Sequence, residues 1–332
     1  MGYGRLPLGA SNLGRFLLPW PSASLVQLLL GQGTLLAHLP CPTVLVLAVL
    51  ARLMRPRRQI WLYWHAFLAP RPGLTGWLEA VYQRLALKTA RSFPVVTTSP
   101  LLAHALLSRG CSLDRVTVLP CALPCETEAL ANAVWSQRQS CLVASGRVIG
   151  IGRLDSYKRW DWLIQAFANS ASAHQLDLVG VGPDLFSLQA LAARVTQAGF
   201  PSGHPQDQPK RICFHGRLSE AKKADLLAQA DLLVLPSDRC NEAFGLVQLE
   251  AMACGIPSLA FDQPLSGMHW VSRLEAIPWS GQPQDLAVAM QNHLANPELY
   301  LQACLQARQR YEEYFSQAVW QGNPVLSTWA HG

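Results

Sequence analysis

Four short apolar runs in the second half of the chain, at 148–151, 175–179, 211–214 and 231–235, each end within two residues of a glycine or proline. Gly152, Gly180, Gly216 and Pro236 are the stops, and a stretch with helical spacing follows each of them. Runs of four or five residues are short for helices, and strands separated by helices pair in parallel because the crossover returns the chain to the same end. A parallel sheet is covered on both faces. The pattern predicts an α/β architecture that binds ligands at the C-terminal ends of its strands. The glycines at 180 and 182 are followed by Leu185 where a dinucleotide fingerprint has its third glycine, which disfavours a dehydrogenase.

Within this half, residues 241–257 read NEAFGLVQLEAMACGIP. The spacing predicts a helix over 246–254, stopped by Gly255 and Pro257, with an apolar strand at 258–261. Glu242 then precedes the helix and Glu250 lies inside it. Phe244, Gly245 and Leu246 fall at the helix N-terminus, where amides without intrahelical acceptors and the positive end of the macrodipole favour an anion. Gly245 lets a ligand approach the backbone. A diphosphate fits there, with a carboxylate on each side to accept hydroxyl hydrogen bonds. Each acid alone reads as a solvated helix residue; the glycine and the fixed spacing point to a ligand.

Upstream, the run at 148–151 leads into GRLDSYKRWDWLIQAF, a loop and then a helix from about Trp160. It delivers Arg153 and Lys158 to the end of a strand, where two cations neutralise a leaving diphosphate as its charge develops. In the first half, an apolar and aromatic run at 59–64 hands His65 to a loop, and LAHLPCP contains His38. From its own residues His65 is equally a core histidine in an aromatic cluster or an active-site group.

Together these segments resemble retaining glycosyltransferases of the GT-B fold, glycosyltransferase family 4 (group 1) in particular. The E-x7-E spacing of Glu242 and Glu250, the G-R-L-x-x-x-K pattern of Arg153 and Lys158, and the aromatic W-H unit at His65 carry the resemblance. It implies two Rossmann-like domains facing across a cleft. It also implies that Glu242 holds donor-sugar hydroxyls, Glu250 the nucleotide ribose, the Phe244-Gly245-Leu246 backbone and Arg153 and Lys158 the phosphates, and that His65 is the active-site histidine. His38 is a weaker candidate. Arg159 stands where the family carries glycine after the lysine, which tightens or crowds the loop.

The opening segment does not read as the strand, glycine loop and helix with which the family begins, and no strand precedes Gly2 and Gly4. The resemblance thus implies an incomplete N-terminal domain, lacking its first strand-helix-strand block. The family's G-E-x-G-x-L-V stretch is represented here only by the shorter SRLEAIPWSGQ. The expected domains are a truncated acceptor domain at 1–125, a linker at 126–141, a nucleotide-sugar-binding domain at 142–311 and a tail at 312–332 that crosses back to the first domain.

The expected reaction moves a hexose-type sugar, with retention, from a UDP- or GDP-linked donor to a glycan or lipid-linked acceptor in polysaccharide or glycoconjugate synthesis. Alternatives are an inactive remnant that binds a nucleotide sugar or a partner protein, and a nucleotide-sugar epimerase. No D-x-D pair suits a metal-bridged diphosphate, so no metal or other cofactor is expected.

Composition agrees with this reading. A 332-residue chain that is 50% hydrophobic buries a large core and suits two domains. Residues 1–138 contain 13 Lys/Arg and 4 Asp/Glu, leaving 14 and 17 for the remainder, so the two parts carry +9 and −3 of the net +6. A basic, apolar first part suits the surface of an anionic membrane, and residues 44–54 followed by Arg55, Arg57 and Arg58 form a basic amphipathic segment or a buried helix ending in solvated arginines. No apolar run reaches the ~18 residues that span a bilayer. Nine cysteines without disulfide-like spacing point to a reducing compartment, hence a cytoplasmic protein, peripheral at most on the inner membrane face. No basic stripe interleaved with aromatics suggests nucleic acid.

Overall fold

The structure is a computed structural model that describes residues 8–13, 16–197, 210–274 and 279–330. Gly2, Gly4 and residues 275–278 of the SRLEAIPWSGQ stretch lie outside the described residues. The chain divides into two compact units, residues 1–120 with 321–332, and residues 121–320.

The first unit opens with an antiparallel hairpin of β1 (Ala10–Leu13) and β2 (Phe16–Pro19). There follow α1 (Ala23–Leu30), β3 (Leu35–Leu39), α2 (Pro42–Met54), β4 (Ile60–Trp64), α3 (Gly73–Ala90), β5 (Val95–Thr97), α4 (Pro100–Leu107) and β6 (Val116–Val118). The strands β3-β4-β5-β6 form a parallel sheet in chain order. Serine caps start two of the helices, with Ser22 Oγ accepting from the Leu25 amide and Ser99 Oγ from that of Leu102. Leu62, Trp64, Phe67, Val95, Leu102 and Leu106 form the core.

Helix α2 buries Leu45, Leu47, Ala48 and Ala51, while Val46, Leu50, Leu53 and Met54 make an exposed stripe followed by exposed Arg55 and Arg57. Arg58 does not continue that exposed run. It is buried, donates from Nε to the Gly33 carbonyl at 2.8 Å and also bonds the Leu28 carbonyl, because it caps backbone oxygens that would otherwise be orphaned.

The second unit contains α5 (Cys125–Arg138), β7 (Arg147–Ile151), α6 (Trp160–Asn169), β8 (Gln175–Val179), α7 (Leu185–Gln197), β9 (Arg211–Gly216), α8 (Glu220–Gln229), β10 (Leu232–Leu235), α9 (Leu246–Ala253), β11 (Ser258–Ala260), α10 (Met268–Ser272), α11 (Leu286–Ala295), α12 (Pro297–Tyr314) and α13 (Gln317–Gln321). Its parallel sheet has the order β11-β10-β7-β8-β9. The interior strand β10 is buried at all four residues, as expected for a strand covered on both faces. A last helix, α14 (Pro324–Ala330), belongs to the first unit, where Trp329 meets Trp61 edge to face.

Two expectations are corrected. Residues 126–141 are not a linker for most of their length, because α5 occupies Cys125–Arg138, buries Ala131 and Val134, and has Arg138 donating to the Ala228 carbonyl. Its opening turn carries Glu126 and Glu128, which suit a helix N-terminus. The strand expected to end at 214 continues to Gly216, since a register shift beside Leu178 and Val179 pairs Val179 with Gly216.

Candidate active site

In the second unit the chain runs outward from β7 in both directions, first to β8 and β9 and then to β10 and β11. The β7–β10 boundary is the switch point of an open parallel sheet, the place where such sheets bind ligands beyond the carboxyl ends of their strands. The loops after β7 and β10 carry the two charged motifs.

After β7, Gly152, Arg153, Leu154 and Asp155 lead into a short 3-10 turn, Ser156–Lys158. Trp160, buried at the start of α6, donates its indole N–H to the Arg153 carbonyl at 2.9 Å and ties the loop to the helix. Arg153 is largely exposed, with Nε 3.2 Å from Asp155, a pairing weak enough to exchange for a ligand. Lys158 is 8% exposed and pairs with Glu242. The two motifs thus meet side chain to side chain although 84 residues separate them in sequence.

Arg159 adopts a left-handed conformation, φ 53° and ψ 40°, at the position where the family resemblance expects glycine. It does not crowd the loop. Its guanidinium forms a fork with Asp161 at 3.0 and 2.9 Å, reaches Asp238 at 3.0 Å and lies 3.6 Å from the centre of the Trp162 ring. These contacts tether the loop after β7 to the loop after β10.

After β10, residues 236–245 lead to α9. Gly245 is the N-cap at φ 74°, and a Cβ there would stand 2.5 Å from Leu235 Cδ2 and 2.8 Å from Gln248 Nε2, so backbone and packing both demand glycine. Gln248, fully buried, donates to the carbonyls of Phe244 at 2.9 Å and Met268 at 3.1 Å, while its Oε1 accepts from Ser258. Ser266 donates to the Glu242 carbonyl at 2.5 Å, and the Gly267 amide to that of Ala243 at 2.7 Å. The turn bearing Glu242, Phe244, Gly245 and Leu246 is therefore held from behind. Phe244 is buried against Trp270 and Phe315, so its backbone serves the site while its side chain serves the core.

Glu250, inside α9, stands 2.7 Å from Lys223 of α8, and Lys223 also pairs with Glu220 at 2.9 Å. Burial pushes the Glu250 carboxyl above its ordinary value, against the pull of Lys223. Beside the loops, a cavity of about 330 Å³ is lined by Asp155, Asp161, Asp184 and Asp238 with Arg159 and Arg239. Its acidity makes it a poor host for a diphosphate, unlike the Lys158 side of the loop.

In the first unit, His65 follows β4, and its amide donates to the Leu39 carbonyl at 2.9 Å. The register sets His38 beside Tyr63, and His38 Nδ1 lies 2.7 Å from His65 Nε2. Burial, and then the neighbouring His38, lower the His65 pKa to about 4; burial lowers that of His38 as well. The pair is neutral at pH 7, one ring nitrogen donating to the other.

Sequence reasoning singled out Arg153, Lys158, Glu242, Gly245 and Glu250, and the structure places them on the loops and helix around β7 and β10. It missed Gln248, Ser266 and Lys223. A glutamine in an otherwise apolar and small helix face was the one available signal.

Residues 145–296 match the family model described as "Glycosyl transferases group 1". The chain is similar to a D-inositol 3-phosphate glycosyltransferase of Xylanimonas cellulosilytica, 30% identical over 158 residues, which are 46% of this chain and 36% of that protein. It is 36% identical over 114 residues to an N-acetyl-alpha-D-glucosaminyl L-malate synthase of Bacillus anthracis, over 34% of this chain and 26% of the relative. Among solved structures, Anabaena HepE in complex with UDP superimposes with a TM-score of 0.67 at 20% identity, over 90% of this chain and 79% of that one. The fold is that of the GT-B glycosyltransferases. The matched residues 145–296 all lie within the second unit, and the chain spans about a third or less of the length of these curated relatives.

Proposed function

We propose that this GT-B chain is a retaining family 4 glycosyltransferase that moves a hexose-type sugar from a UDP- or GDP-linked donor to a glycan or lipid-linked acceptor. The observation that carries the reading is the meeting of Lys158 with Glu242 beside the N-terminus of α9, at the switch point of the second unit's sheet. HepE, which shares the fold, was crystallised with UDP and with UDP-glucose.

Without donor, Lys158 and Glu242 neutralise each other. A bound diphosphate takes Lys158, together with Arg153 and the amides around Gly245, and frees the Glu242 carboxylate to accept hydrogen bonds from sugar hydroxyls. As the glycosidic bond to phosphate breaks, these groups stabilise the growing charge on the leaving diphosphate. The acceptor hydroxyl attacks from the leaving-group face and passes its proton to a phosphate oxygen. Glu250 holds the ribose, and His65 orients sugar or acceptor. The exposed apolar stripe of α2 with Arg55 and Arg57 suits peripheral contact with an anionic membrane that presents a lipid-linked acceptor. Among the described residues no helix is long and apolar enough to cross one.

Calorimetric titration of the chain with UDP- and GDP-sugars, alongside Glu250→Ala, tests the assignment. Binding that the variant loses supports the donor site; absence of binding to any of them, or binding that Glu250→Ala leaves untouched, sinks it.

A further inference from the structure

Three side chains outside the proposed donor site share one face of the second unit's sheet at its β8–β9 edge. The parallel register places Asp177 beside Cys213, and the two-residue period of a strand brings His215 to the same side. One carboxylate oxygen, the thiol sulfur and one ring nitrogen all lie within 4.8 Å of one another, and among the described residues no other group of three such side chains is so close. His215 Nε2 stands 2.7 Å from Asp177 Oδ1.

The surroundings support a ligand set. Asp177 is 4% exposed, and Gln175 Nε2 donates to both of its oxygens, at 3.0 and 2.9 Å. Arg147 Nη2 lies 3.8 Å from Oδ2. A carboxylate held on both oxygens by an amide, with a guanidinium beside Oδ2 and an imidazole on Oδ1, has the outer-sphere support that orients metal ligands. Hydrogen bonding accounts for Asp177 and His215 but gives Cys213 no task.

We propose that Asp177, Cys213 and His215 form a zinc-binding site, with Asp177 Oδ1, the Cys213 thiolate and His215 Nε2 as three ligands and water as the fourth. The mixed sulfur, nitrogen and oxygen set suits Zn²⁺ and disfavours Mg²⁺ or Ca²⁺. Tetrahedral ligands 2.0–2.3 Å from zinc stand roughly 3.3–3.7 Å from one another. The contact between Asp177 and His215 therefore opens by less than about 1 Å while the sulfur closes by a similar amount. Binding breaks the Cys213 S–H bond, forms S–Zn and releases that proton to solvent. Carboxylate and thiolate balance the +2 charge, and the ion clips the edge strand β9 to β8.

The test is titration of the purified, chelator-stripped chain with Co²⁺, read in the near-ultraviolet and visible. We expect about one equivalent to bind with thiolate-to-cobalt charge-transfer and tetrahedral d–d bands, and Zn²⁺ to displace it. Cys213→Ser and His215→Ala abolish the bands, whereas Gln175→Ala keeps them with an affinity about 10- to 100-fold weaker. In the unmodified chain, Zn²⁺ protects Cys213 from alkylation, a readout by peptide mass that needs no variant to fold. Absence of a charge-transfer band, a band that survives Cys213→Ser, or Cys213 alkylated equally with and without Zn²⁺ would overturn the site.

Discussion

The two units hold their polar residues in opposite ways. In the second, Lys158 and Glu242 are a buried pair of full charges, and Arg159, Asp161 and Asp238 extend the same pattern along the loops. In the first, His38 and His65 are two neutral rings packed on Tyr63, with their pKa values lowered by burial. A site that receives a diphosphate needs a cation stored without cost to stability, and a carboxylate that the ligand can displace stores it. A site that meets uncharged hydroxyls needs one donor and one acceptor at fixed places, which two neutral imidazoles supply. On the proposed function the difference is one of ligand charge, and it can be broken from either side.

The largest effect belongs to the charged pair. Lys158→Ala and Glu242→Gln are each expected to lower kcat/KM for transfer by about 10²–10³-fold. Lys158→Ala also leaves Glu242 without its partner in a site where the two side chains are 10% and 18% exposed, which destabilises by about 3 kcal/mol. The double variant Lys158→Met/Glu242→Gln removes both charges and returns stability to within about 1 kcal/mol of the unmodified chain, with transfer still lost. Urea denaturation read beside initial rates separates the two roles. Recovery of transfer in the double variant would mean that the pair serves the fold and not the donor.

Two left-handed residues sharpen the comparison at the next level. Gly245→Ala drives a methyl into Leu235 and Gln248 and is expected to cost about 1–3 kcal/mol in chemical denaturation, with weakened donor binding. Arg159→Gly does the reverse. It relieves roughly 1–2 kcal/mol of backbone strain but gives up the contacts to Asp161, Asp238 and Trp162, so stability changes little while donor affinity falls with the loosened loop. Arg159→Ala keeps the strain and loses the contacts, and falls about 1–2 kcal/mol below Arg159→Gly. Equal stability of those two variants would show that residue 159 carries no backbone strain.

Much of the second unit was legible because its signals are local. Strands of four or five apolar residues, glycine and proline stops, and the two motifs mark β7, β8, β10 and α9 within a residue or so, and the order of strands and helices implies the parallel sheet. What stayed hidden depends on partners far away in the chain. Helix α5 was read as a linker because its buried side is only Ala131 and Val134 in a polar stretch, too faint for a periodicity argument. Lys223 reads as a solvated helix residue until α8 places it on Glu250, 27 positions on. Arg159 shows as a departure from a pattern, but nothing local announces Asp238. Arg58 reads as one of three basic residues on a surface until the carbonyls of Leu28 and Gly33 claim it. Both histidines were candidates, yet their contact follows from the β3–β4 register, which no single run of residues specifies.

The smallest effect lies in the neutral pair and appears in pH dependence. In the unfolded chain a histidine titrates near 6.5, whereas in the folded unit His65 titrates near 4 and His38 is lowered too. Between those values the unfolded state binds more protons than the folded one, so stability rises with pH across that window. The contribution is complete above 6.5 and is lost as pH falls toward 4. His65→Gln keeps a side chain able to bond His38 while removing the group that titrates lowest, so its urea midpoint should fall less between pH 7 and pH 5 than that of the unmodified chain. If His65→Gln tracks the unmodified chain at both pH values, the imidazoles are not held neutral, and the contrast between a charged site in one unit and an uncharged one in the other fails.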